Sequence, residues 1–138
     1  MEKEYKWQQI EVIEKKDREE ILKSICVMNL KKSPGTTATV NDELDQVAKE
    51  DKTYLNSQFN LYDPDIIICC SRVVSDLFHE LIEFPEKPDW KMTSRGVWYH
   101  SYKPGKFVIS YLHPQAHVPG NMLYYTLLDA VKEIREGY

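Results

Sequence analysis

The nine residues Asp63 to Ser71, "DPDIIICCS", decide how this chain is read. Pro64 has no amide proton and resists continuation of a helix arriving from upstream. The apolar run Ile66 to Cys70 that follows is long enough for a strand and rich in β-branched residues. An unbroken apolar run of this kind predicts a strand buried on both faces, the habit of parallel sheets covered by helices.

Working outward, residues 72–83 carry Val73, Val74, Leu77, Phe78 and Leu81 at helical spacing. Upstream, Leu44, Val47, Ala48, Leu55, Phe59 and Tyr62 mark one helical face. Thr39 followed by Asp42 resembles a capping box, which starts that helix near residue 40. "KKSPGTTATVN" before it is a loop punctuated by Pro34-Gly35, and "ICVMNL", residues 25–30, reads as a short buried strand. A charged helix is expected within residues 1–24, its apolar positions Trp7, Ile10, Ile13, Ile21 and Leu22 falling in 7–24. Downstream, "GVWYHSY" and "KFVISYL" flank "KPG", the pattern of a β-hairpin, and a last helix spans about 121–136. Its inward face is Leu123, Tyr124, Leu127, Leu128, Val131 and Ile134.

Strands alternating with helices predict an α/β fold of three layers, α/β/α, with a mostly parallel sheet and a β-hairpin towards the C-terminus. The 138 residues suit a single domain. The formal charge of −4 and a pI near 5.6 argue against sequence-blind coating of DNA, which needs many cations. No apolar run approaches the ~20 residues of a membrane span, and "MEKEYKWQQIEVIEKKDREE" lacks the apolar centre of a signal peptide. A cytoplasmic protein is expected. Cys26, Cys69 and Cys70 lie in apolar segments and read as buried reduced thiols.

In sheets of this class ligands gather at the C-terminal ends of strands. Three such ends carry polar residues: Asn29, Ser71 and His113. His113 is followed by a proline that blocks further pairing, and a neutral imidazole there can donate to a developing oxyanion. It can equally cap the sheet through a loop carbonyl. The Asn29 carboxamide both donates and accepts, as the edge of a nucleobase requires, or else ends its strand by bonding its own backbone. "KKSPG" offers Lys31, Lys32, Ser33 and Gly35 for a phosphate contact, without a P-loop pattern. Trp98, Tyr99, Tyr102, Tyr124 and Tyr125 can stack on a base or fill the core. His79 and His100 are read as structural.

No metal and no cofactor is expected. His113 and His117 are four apart, but Pro114 and Pro119 exclude a helical His face, and adjacent Cys69 and Cys70 point to opposite sides of a strand. A cysteine–histidine nucleophilic pair is chemically allowed, although nothing singles out the cysteine.

Taken together, "ICVMNL", "DPDIIICCS" and "FVISYLHPQAHVP" before the final helix resemble the uracil-DNA glycosylase superfamily, over roughly residues 20–136. Asn29 stands where that family reads the pyrimidine edge, Cys70-Ser71 where its central strand ends in a small residue, and His113-Pro114-Gln115 where it carries His-Pro-Ser. The resemblance implies a parallel sheet between helices and a flipped uracil-like base held by Asn29, with His113 on its oxyanion. Together with the cations and turn of "KKSPG", this gives Lys31, Lys32, Ser33, Gly35, Ser71, Pro114, Gln115 and His117 as the expected phosphate or DNA contacts. Gln115 replaces the family's serine, and His117-Val118-Pro119 replaces its groove wedge. The Gly-Gln-Asp-Pro-like motif that supplies the family's water-activating carboxylate has no counterpart ahead of Asn29. Asp42 and Asp63 are poor substitutes, the first placed to cap a helix and the second before its strand. The expectation is therefore a divergent, catalytically weak or inactive relative that binds a nucleobase, nucleotide or DNA. An active glycosylase and a protein–protein interaction domain are the alternatives, and the hairpin's outer strand is a candidate edge for a second copy.

Overall fold

The computed structural model describes residues 4–31 and 41–137. Six helices and four strands are described: α1 (Trp7–Glu11), α2 (Lys15–Leu22), α3 (Asn41–Glu50), α4 (Lys52–Tyr62), β1 (Ile66–Cys70), α5 (Arg72–Leu81), β2 (Lys91–Met92), β3 (Trp98–Lys103), β4 (Lys106–Tyr111) and α6 (Gly120–Glu136). The class is mixed α/β.

The four strands form one sheet in the order β1-β4-β3-β2. Only β1 and β4 are parallel, from Ile66 opposite Phe107 to Cys70 opposite Tyr111. β4 runs antiparallel to β3 across Pro104-Gly105, and β3 antiparallel to β2. Gly105 takes φ +74°, a value that favours glycine. The mostly parallel sheet expected from the sequence is thus corrected to a mixed one, because 25–30 supplies no strand.

Among the described residues that segment joins no strand pairing; Ile25 and Val27 are exposed and only Leu30 is buried. Met28 and Leu30 alone reach the core that α3, α4 and α5 cover, and the backbone does not join the ladder. As a result β1, expected at the centre, is an edge strand, and Ile68 is 43% exposed. The buried centre is β4, where Phe107, Val108 and Ile109 are almost fully enclosed.

Strand alternation sorts these residues onto two faces. Cys69, Val108 and Tyr102 join Ala48, Leu55, Phe59, Leu77, Phe78 and Leu81 of α3, α4 and α5. Phe107 and Ile109 join Val97 and Ala130 and Ile134 of α6. The single helix expected from residue 40 divides at Asp51 into α3 and α4. α4 then ends on Asp63 in the left-handed conformation, immediately before Pro64. Thr39 lies outside the described residues.

The expected N-terminal helix is two short ones, α1 and α2, neither contributing a buried residue. The segment is strapped to α6 instead. The Trp7 amide donates to Tyr125 Oη (3.0 Å), Tyr124 Oη donates to the Tyr5 carbonyl (2.7 Å), and Lys132 pairs with Glu4. A side chain at Gly120 would collide with the Trp7 ring, its Cβ only 2.8 Å from Cη2. No helix among the described residues is long and apolar enough to cross a membrane.

Candidate functional site

Parallel pairing of β1 with β4 brings their C-terminal ends together, so Ser71 and His113 emerge side by side; the Ser71 amide donates to the Tyr111 carbonyl at 2.9 Å. Ser71 then opens α5. Its Oγ accepts from the Val74 amide, a helix cap, and its backbone sits at φ 125°, ψ 160°. A non-glycine residue held there is strained, and strain of this kind collects where a chain is bent for a purpose.

Beside this end of the sheet runs the segment 26–31, separated from the edge of β1 by a cleft of about 890 Å³. Asn29, Lys31, Ser71, His113 and Pro114 line it, with Cys26, Met28, Leu30, Leu44, Ile68, Cys70 and Val74 among its apolar walls. Ligand clefts commonly measure ~300–1,000 Å³ and combine apolar walls with a few convergent polar groups. A narrower apolar groove of about 140 Å³ continues along the same edge between Met28, Leu30, Phe59 and Ile67.

His113 is exposed, and the turn after it defines its chemistry. The Ala116 amide donates to the His113 carbonyl (2.8 Å), and the Gln115 amide donates to His113 Nδ1 (3.1 Å). With Nδ1 accepting, the proton of the neutral ring resides on Nε2, which is thereby a hydrogen-bond donor. Gln115 acts through its main chain, and neither it nor His117 is among the lining residues, although both are exposed in the adjoining loop. Lys31 reaches the cleft but is tied to Glu43, which neutralises part of its value as a phosphate contact. Lys32, Ser33 and Gly35 lie outside the described residues.

Three residues far apart in the chain thus line one cleft: Asn29, Ser71 and His113. Asn29 arrives on a segment that joins no strand pairing among the described residues, rather than on a strand end, a correction to its expected setting. The apolar walls were not foreseen as site residues. Leu44 and Val74 carried the signal of a helix face, which does not distinguish core from cleft.

Asp63 stands at the opposite end of β1, where Lys106 at 3.0 Å, and Lys103 beyond it, hold its carboxyl below the usual range. Asp42 lies exposed in the first turn of α3. Neither lines the cleft. Burial pushes the Cys70 thiol up, and burial followed by the neighbouring Cys70 pushes Cys69 up to about 12. Both are protonated at neutral pH, and a thiol is a poor nucleophile compared with its thiolate. Cys26, expected to be buried, is exposed. Among the aromatics, Tyr102 is core, Tyr99 packs against the α6 side, and Tyr124 and Tyr125 hold the N-terminal strap. Trp98 is left half-exposed.

Comparison of the chain with family models, with curated proteins and with solved structures gives no match.

Proposed function

We propose that this chain is a divergent, catalytically weak or inactive relative of the uracil-DNA glycosylases that binds a nucleobase or nucleotide, free or in DNA. The observation that carries the reading is the meeting of Asn29, Ser71 and His113 in one cleft. A carboxamide supplies a donor and an acceptor for a base edge, a hydroxyl supplies either, and the His113 Nε2–H supplies a donor for a ring carbonyl. Apolar walls from Met28, Ile68 and Val74 suit the faces of a planar ring. The likeness to the glycosylases lies in these groups and their order along the chain, not in the sheet, which is mixed where that family's is parallel.

The cleft's described polar groups bind rather than activate water; the carboxylate of Glu43 beside it is engaged by Lys31. Binding without efficient hydrolysis follows. The alternative, an active glycosylase, draws on one observation, the Nε2–H of His113 as an oxyanion donor.

Thermal unfolding in the presence of uracil, dUMP and a uracil-containing oligonucleotide tests the main reading, since a ligand of the folded state raises the unfolding temperature. Absence of any shift removes the nucleotide site. Asn29 is exposed, so Asn29→Ala should leave the unfolding temperature of the free protein unchanged. It should weaken dUMP binding by about 1–3 kcal/mol, measured by calorimetry. Robust uracil release that disappears in His113→Ala decides for the enzyme.

A further inference from the structure

On the other side of the first turn of α5 lies a second concavity of about 310 Å³, lined by Arg72, Ser75, Asp76, Trp90, Trp98 and Ser110. Its construction follows from register. Trp98 of β3 stands directly opposite Ser110 of β4, on the sheet face that α5 covers. Two residues further along β3, His100 is completely enclosed against α5. At Trp98 the helix has only begun, and the indole is left 46% exposed beside Arg72 and Asp76. The floor is polar: Ser75 Oγ lies 2.8 Å from the Ser71 carbonyl and 2.7 Å from Ser110 Oγ. A hydroxyl has one proton, so when Ser75 donates to the carbonyl, Ser110 donates to Ser75 and keeps its own lone pairs as acceptors. The Arg72 guanidinium at the rim is 92% exposed and only loosely paired with Asp76, at 3.7 Å.

We infer that this concavity holds the nucleotide next to the one in the main cleft, so that the ligand is a single-stranded polynucleotide rather than a mononucleotide. This rests on the nucleotide reading of the main cleft. An indole face stacks on a base of any sequence, the Ser110 hydroxyl accepts from its edge, and a guanidinium meets its phosphate. Ser71 and Val74 line the main cleft, and Arg72, Ser75 and Asp76 the second, all within the first turn of α5 and its cap. The two concavities therefore flank one helical turn, across which a phosphodiester connects their bases. With a chain charge of −4, stacking supplies more of the affinity than phosphate neutralisation does.

Calorimetric titration with dUMP, a tetranucleotide of deoxyuridine and a tetranucleotide of uridine tests this. The tetranucleotides should bind roughly ten-fold or more tightly than dUMP, the gain of one stacked base. Trp98→Ala should abolish that gain while leaving dUMP affinity as it was, and Trp98→Phe should retain part of it; circular dichroism verifies that each variant folds. Preference for one tetranucleotide identifies the sugar. Equal affinity for dUMP and both tetranucleotides, or a gain that survives Trp98→Ala, overturns this subsite and leaves the main cleft standing. Failure of all three to bind overturns both.

Discussion

His100 is a polar ring enclosed where a hydrophobic one would be expected. Its Nε2 lies 3.2 Å from His79 Nδ1, Trp90 and Phe84 meet it edge-on, and its own Nδ1 has no hydrogen-bond partner among the described residues. Burial, and then the neighbouring His79, hold its pKa down to about 4 from 6.5. His79 is lowered as well, by burial and by Lys87, against smaller opposing effects of Asp76 and Asp89. An unfolded chain takes up protons near 6.5 that the folded one refuses until about 4. Stability is thus fully present above the upper value and falls as pH drops towards the lower one, where the loss levels off. The loss from His100 is roughly 3 kcal/mol. Urea unfolding across this window should show the decline, and His100→Phe should remove most of its slope whatever its effect on stability at neutral pH. A slope unchanged in that variant rules out His100 as its source. From sequence, His100 was legible only as a residue of a hairpin strand; its partner twenty-one positions away was not.

At the scale of elements, the junction of β1 and α5 carries two opposing effects in one residue. The Ser71 hydroxyl caps the helix, while its backbone occupies a region that favours glycine. Ser71→Ala loses the cap and keeps the strain, and should destabilise the protein by about 1 kcal/mol. Ser71→Gly relieves strain of ~1–3 kcal/mol and gives up only a few tenths as a cap, so it should stabilise. Denaturant midpoints for the pair settle the order. The strap over α6 invites a similar comparison. Glycine to alanine in a helix usually gains up to about 1 kcal/mol, but at Gly120 the new methyl displaces the Trp7 ring. Gly120→Ala should therefore free residues 4–11, with faster proteolysis ahead of α2 and red-shifted Trp7 emission, while the main unfolding transition moves little. Most elements were legible because Pro64, Pro104-Gly105 and the helical apolar stripes act locally. The segment 25–30 was misread for the opposite reason: its composition is that of a strand, and only the approach of another backbone decides whether a strand forms.

For the molecule as a whole, the consequence of that misreading is an exchange of centre and edge. Ile68 and Ile109 are the same residue type, opposite one another in the parallel pair, yet the first is 43% exposed and the second fully buried. Ile109→Ala should cost about 2–5 kcal/mol and Ile68→Ala below ~1 kcal/mol, read from equilibrium unfolding. Equal costs would restore β1 to the centre.

The candidate site divides along the same line. Asn29, Ser71 and His113 were legible as polar residues ending apolar runs, because proline, charge and chain direction mark such positions without help from distant residues. That they share a cleft depends on the parallel register of β1 and β4 and on the segment 26–31 lying along the edge strand β1. The mixed α/β class and most helix positions follow from periodicities within a few residues of each other. Strand order, the exposed edge, the enclosed histidine and the concavity under Trp98 depend on contacts between residues far apart in the chain, and no local pattern specifies those.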